Sequence, residues 1–570
     1  MKNIEVAELL NEIADYLEFS NEPFKVRAYR KAALVIESMP EDIEQAWNEG
    51  KLEEIPSVGE GIAKKIDEFL KNGKVKLLDE LKKKTPVDME GLGRIGGIGP
   101  KTILKLYSEL KIRNVADLER AAKLGKIRNM ERMGPVAEQN ILKSIKFAKK
   151  AKERIPLGFA LKSAEEIVEM LKSVREIKQV AIAGSARRMK ETIGDVDILA
   201  TSDNTKKAID FFTRMPNVSA VLAKGPTKSS VRLKEGLQAD LRVLDNKIFG
   251  AALLYFTGNQ QHNILLRRIA IEKGLKLSEY GLFDKKTNRL VAGKSEEDVY
   301  KKLGMDYIEP EMRENEGEIE LAQHHNLPKL ILYGDIKGDL QMHTNWSDGN
   351  DTIEEMALAA KELGHEYICI TDHSGKMAIT NPLNEKMIAK QRKEIEKVNK
   401  KVSGIKILQG TEANINEDGT LDMPNKILKE LDIVVAAVHL GFKNPKEKMA
   451  KRIISAMENE HVDIIAHPTG RLLTRREPYE IDMGTVFDAA KSTGTILEIN
   501  SQPERMDLKD THVKAAVKAG VKLVISTDAH GTGQLKFIKL GIGTARRGWA
   551  TKNDIINTRN LKGMIRMTKK

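Results

Sequence analysis

Over the first 90 residues the apolar positions recur at spacings of three and four, as in Val6, Leu9, Leu10, Ile13 and Leu17, which predicts amphipathic helices packed on one another. The period then changes. An apolar run from Val180 to Ala183 enters a Gly184-Ser185 turn, and Asp195-Val196-Asp197-Ile198 alternates polar with apolar. Gln238-Ala-Asp240-Leu-Arg-Val-Leu244 repeats that alternation, so two half-buried strands are predicted in this part of the chain. From Gly338 onward short apolar runs alternate with amphipathic segments, the rhythm of a parallel β/α fold. Between the two, residues 316–337 are charged and carry Pro328 with the pair His324-His325, and they read as a linker with solvated histidines.

A chain of 570 residues is too long for one core. The pattern divides it into helices over 1–90, further helical turns over 91–150, a strand-bearing unit beginning near 151, the linker and a C-terminal unit over 338–570. The formal charge is +12, and residues 51–150 hold 23 Lys or Arg against 14 Asp or Glu, which fits a polyanionic partner. The single cysteine, Cys369, excludes a disulfide framework and a cysteine zinc finger and suggests a reducing compartment. The amino terminus is amphipathic and acidic, unlike a signal sequence, and no apolar run approaches the roughly 18 residues of a membrane span, so a cytoplasmic location without membrane contact is expected.

Candidate chemistry begins at Gly184-Ser-Ala-Arg-Arg188. A residue without Cβ lets backbone N–H groups approach phosphate oxygens, and the arginines neutralise charge. Asp195 and Asp197, two apart on a strand, face one way, and Asp240 faces the same way if its strand is a neighbour. Carboxylates that close repel unless cations, two of them about 4 Å apart in phosphoryl-transfer sites, sit between them. Solvated aspartates on an exposed strand would explain a lone Asp-x-Asp; the third carboxylate argues against that.

Three glycine turns occur in the helical part: Pro56-Ser-Val-Gly59-Glu-Gly61, Ile95-Gly-Gly97-Ile-Gly99-Pro and Met130-Glu-Arg-Met-Gly134-Pro, the last without a second glycine. Each looks like a helix-hairpin-helix, in which a helix N-terminus offers N–H groups to a DNA phosphate without reading bases.

The order of Gly-Ser, Asp-x-Asp, lone strand Asp, Tyr255-Phe256-Thr257-Gly258, His262-Asn263-x-x-Leu266-Arg267 and Glu279-Tyr280-Gly281-Leu282 resembles the family X DNA polymerases, of which polymerase beta is the type. The resemblance implies a nucleotidyltransferase palm at 151–245 and a thumb at 246–315. It implies that Asp195 and Asp197 bridge two magnesium or manganese ions and that Asp240 holds one of them and orients the primer 3′ hydroxyl. Arg154, Gly184, Ser185, Arg188 and Gly194 would meet the triphosphate, Tyr255 and Phe256 the sugar, and Asn263 and Arg267 the minor groove. Gly258-Asn259 departs from the family's frequent Gly-Ser. The stretch Lys25-Val-Arg-Ala-Tyr29-Arg-Lys31 is similar to the family's small DNA-binding domain. There Lys65 would match a Schiff-base nucleophile that removes a 5′-deoxyribose phosphate, activated by nearby cations including Lys25, Lys31 and Lys64; otherwise it is one solvated lysine of a basic helix.

Eight of the eleven histidines lie beyond Gly338. His343, His373, Glu412, His439, His467, Asp528 and His530 fall at or near the carboxyl ends of apolar runs, the rim where β/α barrels build sites, and Asp348 lies in the loop after His343. Six such ends together are poorly explained as core histidines, whereas His365, His461 and His512 sit in helical segments and read as surface residues. The arrangement resembles the PHP domain, which implies two or three manganese or zinc ions and a phosphoesterase acting as a 3′ to 5′ exonuclease, with 3′-phosphatase or abasic-site cleavage as related chemistry. One ligand departs: Gln341 stands where the PHP pattern has the first His of His-x-His.

Together the readings give a multidomain α/β chain: helical N-terminal and helix-hairpin-helix domains, a polymerase beta-like nucleotidyltransferase palm with its thumb, and a C-terminal distorted (β/α)7 PHP barrel. A nucleoid-associated prokaryotic monomer that fills short gaps in base excision repair, taking gapped or primer-template DNA and deoxynucleotides, is the expected whole. A barrel that only binds metal, or one that hydrolyses a small phosphate ester, stands as the alternative.

Overall fold

The computed structural model describes residues 2–569 apart from 19–21, 40–42, 85–86, 94, 96–97, 132, 136, 140, 143, 146–153 and 376–379. Helices Lys2–Glu18, Pro23–Ser38, Glu60–Asn72 and Lys76–Lys84 pack around Leu10, Ile13, Ile36 and Ile66, as the three-and-four spacing requires. Gly59 and Gly99 precede the first turns of helices Glu60–Asn72 and Pro100–Leu110. Nothing lies within 4 Å of a Cβ built on Gly59, Gly61 or Gly99. Their φ angles are ordinary, so the glycines leave room for a close partner rather than relieve strain. The third turn lies in part outside the described residues, as do Gly97 and most of the connector after Ala148.

The palm is a five-stranded sheet in the order Ile177–Ile182, Asp195–Ser202, Gln238–Leu244, Lys228–Leu233 and Val218–Lys224. Only the pair Asp195–Ser202 and Gln238–Leu244 runs parallel. Val196, Ile198, Leu241 and Val243 turn toward helices Leu157–Lys172 and Thr205–Phe212 to form one core. The alternation seen in the sequence therefore separates a packed face from a face carrying carboxylates. The thumb consists of helices Phe249–Thr257 and Gln260–Glu272, a three-stranded antiparallel sheet and helix Glu296–Lys302.

Residues 316–337 are not a solvated linker. Helix Glu318–Gln323 seats Ile319 and Ala322 in the thumb core, and Ile331 enters a core of the C-terminal unit. The charged composition hid these few anchors. The exposed pair His324-His325 agrees with the solvated reading, with His325 2.6 Å from Asp306.

Seven parallel strands in sequential order, from Gly338–Met342 to Leu523–Ser526, make the C-terminal barrel. A parallel bridge from Met342 to Ala529 brings the first strand to the last. Its strands are almost wholly buried because helices or strands cover both faces. Barrel and palm share a boundary: Leu473, Met506 and Leu540 of the barrel lie in the palm core. A Cβ on Gly543 would approach Met189 to 2.5 Å, so helix Ile538–Arg547 meets the palm closely only because that position is glycine.

Candidate functional site

In the palm the parallel register sets Asp197 directly beside Asp240. Neighbouring strands are about 4.8 Å apart, so the two carboxylates share one edge of the sheet with Asp195, two residues along. Asp240 is buried, accepting from Gln238 Nε2 at 3.0 Å and lying 3.2 Å from Lys228 Nζ; Asp195 is exposed. The sequence drew attention to neither Gln238 nor Lys228. Burial, and then the charges of Asp195 and Asp240, push the Asp197 carboxyl up from 3.8 to about 6. A site that disfavours its own negative charge fits a divalent cation.

Gly184 presses on this cluster with a φ of +61°, and a Cβ there would come within 2.2 Å of Asp197 Oδ2. Gly184→Ala is expected to lower nucleotide incorporation about a hundredfold, because even a 1 Å misplacement of a reacting group has that effect. Single-turnover incorporation is the check, and a wild-type rate would refute it.

Around the acidic edge, the Ser185 side chain is half-buried in the turn, and Arg154 binds Thr192 through Nε at 2.9 Å. A Cβ on Gly194 would lie 3.4 Å from that guanidinium. Arg188 donates to Thr257 O and, at 3.0 Å, to Glu314. Tyr255 and Phe256 meet edge to face with ring centroids 5.1 Å apart, and Arg242 lies over Phe256 at 4.4 Å. Asn263 donates to Tyr255 O at 2.7 Å, and Arg267 lies one turn further along the same helix. The Gly258–Asn259 peptide is cis, and the Asn259 side chain caps that helix by accepting from His262 N at 2.8 Å.

The N-terminal candidates divide. Lys25 and Lys31 are exposed, Lys65 is half-buried on helix Glu60–Asn72, and Lys64 is bonded to Glu60 at 2.5 Å. Tyr29 corrects the expectation of a DNA contact: it is 8% exposed and belongs to the helical core.

The barrel rim carries the second cluster. Glu412 is its centre, with Oε1 3.1 Å from both His439 Nε2 and His467 Nε2. Its Oε2 lies 3.3 Å from His343 Nε2 and 3.6 Å from His373 Nδ1. Asp528 stands 3.2 Å from His343, and Asp348 lies 3.6 Å from each of His373 and His530. Three groups of possible ligand atoms fall within 4.8 Å of one another: His343, Asp348, His373 and His530; His373, Glu412 and His439; and His343, Glu412 and Asp528. His467 and Asp528 hold positive φ angles of 29° and 52°, strain of the kind that collects at functional sites.

This donor set fits transition-metal ions. His343 Nδ1 and Nε2, His373 Nδ1 and both side-chain atoms of Gln341 are buried without a hydrogen-bond partner among the described residues. Burial pushes His373 down to about 4, while Glu412, although buried, is held well below the usual carboxylate range by the imidazoles packed around it. Against burial, Asp528 and Glu412 hold His343 well above its ordinary value, and His530 is raised beside Asp348, so a cation binding here displaces the protons those two imidazoles hold. Gln341, two residues before His343, is fully buried and orphaned.

One histidine corrects the surface reading. His365 is 5% exposed and follows helix Ile353–Glu362 rather than lying within it, and burial pushes it down to about 4. His512 is half-buried, and its Nδ1 has no partner among the described residues. His461 lies in a turn, also half-buried.

Models of the DNA polymerase beta palm and thumb match residues 154–273 and 252–314, and a PHP domain matches 339–502. A helix-hairpin-helix domain matches 1–75 and a SAM-like helix-hairpin-helix tandem 89–146. The DNA polymerase/3′-5′ exonuclease PolX of Bacillus subtilis (strain 168) is 38% identical over 565 residues, 99% of this chain and 98% of that protein. Probable phosphatases match the barrel region in part. One from Thermoanaerobacter sp. (strain X514) is 34% identical over 40% of this chain and 91% of its own length; one from Caldanaerobacter subterraneus subsp. tengcongensis is 36% identical over 31% and 70%.

Proposed function

The chain belongs to the family of the DNA polymerase/3′-5′ exonuclease PolX, and from that premise we propose that it fills short gaps in DNA at the palm and trims 3′ ends at the barrel. The carrying observation is the side-by-side register of Asp197 and Asp240 next to Asp195. Among the described residues no helix is long and apolar enough to cross a membrane.

In this reading Asp195, Asp197 and Asp240 hold magnesium or manganese. His343, Asp348, His373, Glu412, His439, His467, Asp528 and His530, with Gln341 beside them, hold two or three manganese or zinc ions. When bound, the cations stabilise the attacking and leaving oxygens of phosphoryl transfer. Asp240 aims the primer 3′ hydroxyl, and its ties to Gln238 and Lys228 fix that aim. The turn at Gly184 and Ser185, with Arg154, Arg188 and Gly194, receives the triphosphate. Tyr255 and Phe256 back the sugar, favouring deoxynucleotides, while Asn263 and Arg267 follow the nascent pair. Gly59, Gly61 and Gly99 let a DNA phosphate approach helix N-termini, which grips the backbone without reading sequence.

The barrel relatives titled probable phosphatases favour a second reading, hydrolysis of a small phosphate ester. A labelled one-nucleotide gap, incubated with magnesium or manganese and with or without deoxynucleotides, separates the readings. Extension and 3′ shortening support the proposal. Phosphate release from histidinol phosphate with no nucleotide released from DNA selects the phosphatase.

A pH dependence follows from Asp197. Between 3.8 and about 6 the folded chain keeps a proton there that the unfolded chain has lost. In the absence of cations this contribution to stability is present at low pH and is lost as pH rises through that window. A cation must displace the same proton, so magnesium affinity in the palm is expected to weaken about tenfold per pH unit below about 6 and to level off above it. Magnesium titration with a non-extendable primer checks this, and an affinity unchanged between pH 5 and pH 7 contradicts it.

A further inference from the structure

Glu314, at the end of the thumb, is contacted from three parts of the chain. From the palm, Arg188 Nε donates to its Oε1 at 3.0 Å and Lys190 Nζ lies 3.3 Å from Oε2. From the thumb, Asn259 Nδ2 donates to Oε2 at 3.0 Å. From the barrel, Arg547 Nη1 donates to Oε1 at 3.0 Å and also to the backbone oxygen of Arg188 at 2.8 Å. Arg547 is itself 7% exposed and is anchored by Asp510, whose Oδ2 accepts from Nε at 2.9 Å and Nη2 at 2.5 Å. This is a fixed device rather than a surface pair, because a buried guanidinium held by Asp510 on one edge and by Glu314 and the Arg188 backbone oxygen through Nη1 has one orientation.

We propose that Arg547, although part of the barrel, is a positioning residue for nucleotide insertion in the palm, acting through Glu314 on Arg188 and Asn259. Arg188 and Arg547 share one carboxylate oxygen. With Arg547 in place, Glu314 divides its charge, and Arg188 is free to turn to a triphosphate at small cost. Without Arg547 the whole carboxylate faces Arg188 and retains it. The turn that carries Arg188 also loses the donor on its backbone oxygen. Both effects weaken the triphosphate seat while leaving the carboxylates of Asp195, Asp197 and Asp240 untouched. Asn259 extends the coupling, since it caps helix Gln260–Glu272, which carries Asn263 and Arg267. Three domains thereby meet at one acidic side chain, which gives the fused barrel a part in synthesis besides its own chemistry.

This rests on the reading of Arg188 as a triphosphate contact, and the experiment separates the two. In full-length protein, Arg547→Gln is expected to raise KM for the incoming deoxynucleotide about tenfold with kcat within threefold of wild type. Degradation of a 3′ end in the same preparation stays at the wild-type rate, which also reports that the chain has folded. Arg547→Lys, which keeps one charge but not the fork, gives an intermediate KM. If Arg547→Gln does not fold, Asp510→Asn, which releases the anchor, is expected to raise KM about threefold. Combining Arg547→Gln with Glu314→Gln raises KM over Glu314→Gln alone by clearly less than the tenfold that Arg547→Gln causes by itself, the remainder being the lost bond to the Arg188 backbone oxygen. An unchanged KM in the folded variant, equal loss of both activities, or additive effects in the double variant would each overturn the assignment. Wild-type protein unable to incorporate deoxynucleotides would instead overturn the proposed function.

Discussion

Asp240→Ala is expected to lower template-directed incorporation at least about a thousandfold while 3′-end shortening stays within twofold of wild type. A thousandfold is about 4 kcal/mol of transition-state stabilisation, a plausible share for one of three carboxylates in a site whose work is electrostatic. Asp240 is the member of the cluster that is buried and tied, to Gln238 at 3.0 Å and Lys228 at 3.2 Å. Its loss removes a ligand and also turns Lys228 toward Asp197, where its cation competes with a metal. Primer extension with the variant, beside its 3′-end degradation, reads both numbers. Incorporation that survives within tenfold would mean that the acidic edge of the palm is not the site of synthesis.

The converse change is Glu412→Gln. It keeps the volume and removes the charge shared by His343, His373, His439 and His467, which surround it at 3.1–3.6 Å. Exonuclease activity is expected to fall at least about a hundredfold, in line with the loss of a central ligand's charge from a phosphoesterase centre. Bound manganese per chain falls with it, and incorporation is unchanged. Elemental analysis and the two activities on one preparation decide the matter. Full metal content with full exonuclease activity would place the ions elsewhere.

Much of this was readable from the residues, and the limits have physical causes. Alternation along Asp195–Ile198 showed that two carboxylates share a face, since a strand repeats every two residues. It did not give the parallel pairing of Asp197 with Asp240, because register depends on a partner some forty residues away. The histidines of the barrel were legible because strand ends of a parallel barrel all point to one rim. His365 was misjudged because burial is a property of what packs from elsewhere, whereas Tyr29 shares a helical stripe with Ala32, Ala33 and Ile36 that already marked it as core. Residues 316–337 hid Ile319, Ala322 and Ile331 among charges, and a few apolar anchors suffice to seat a segment when each buried isoleucine contributes about 1.5–3 kcal/mol. Arg547 and Glu314, more than 200 positions apart, left no local trace of their contact.

The most direct test of the two-site account is manganese anomalous diffraction from crystals of the full chain grown with gapped DNA and a non-hydrolysable deoxynucleotide. The account predicts density between Asp195, Asp197 and Asp240, and separately two or three peaks among His343, Asp348, Glu412 and Asp528. A palm without a peak beside a bound nucleotide would contradict it.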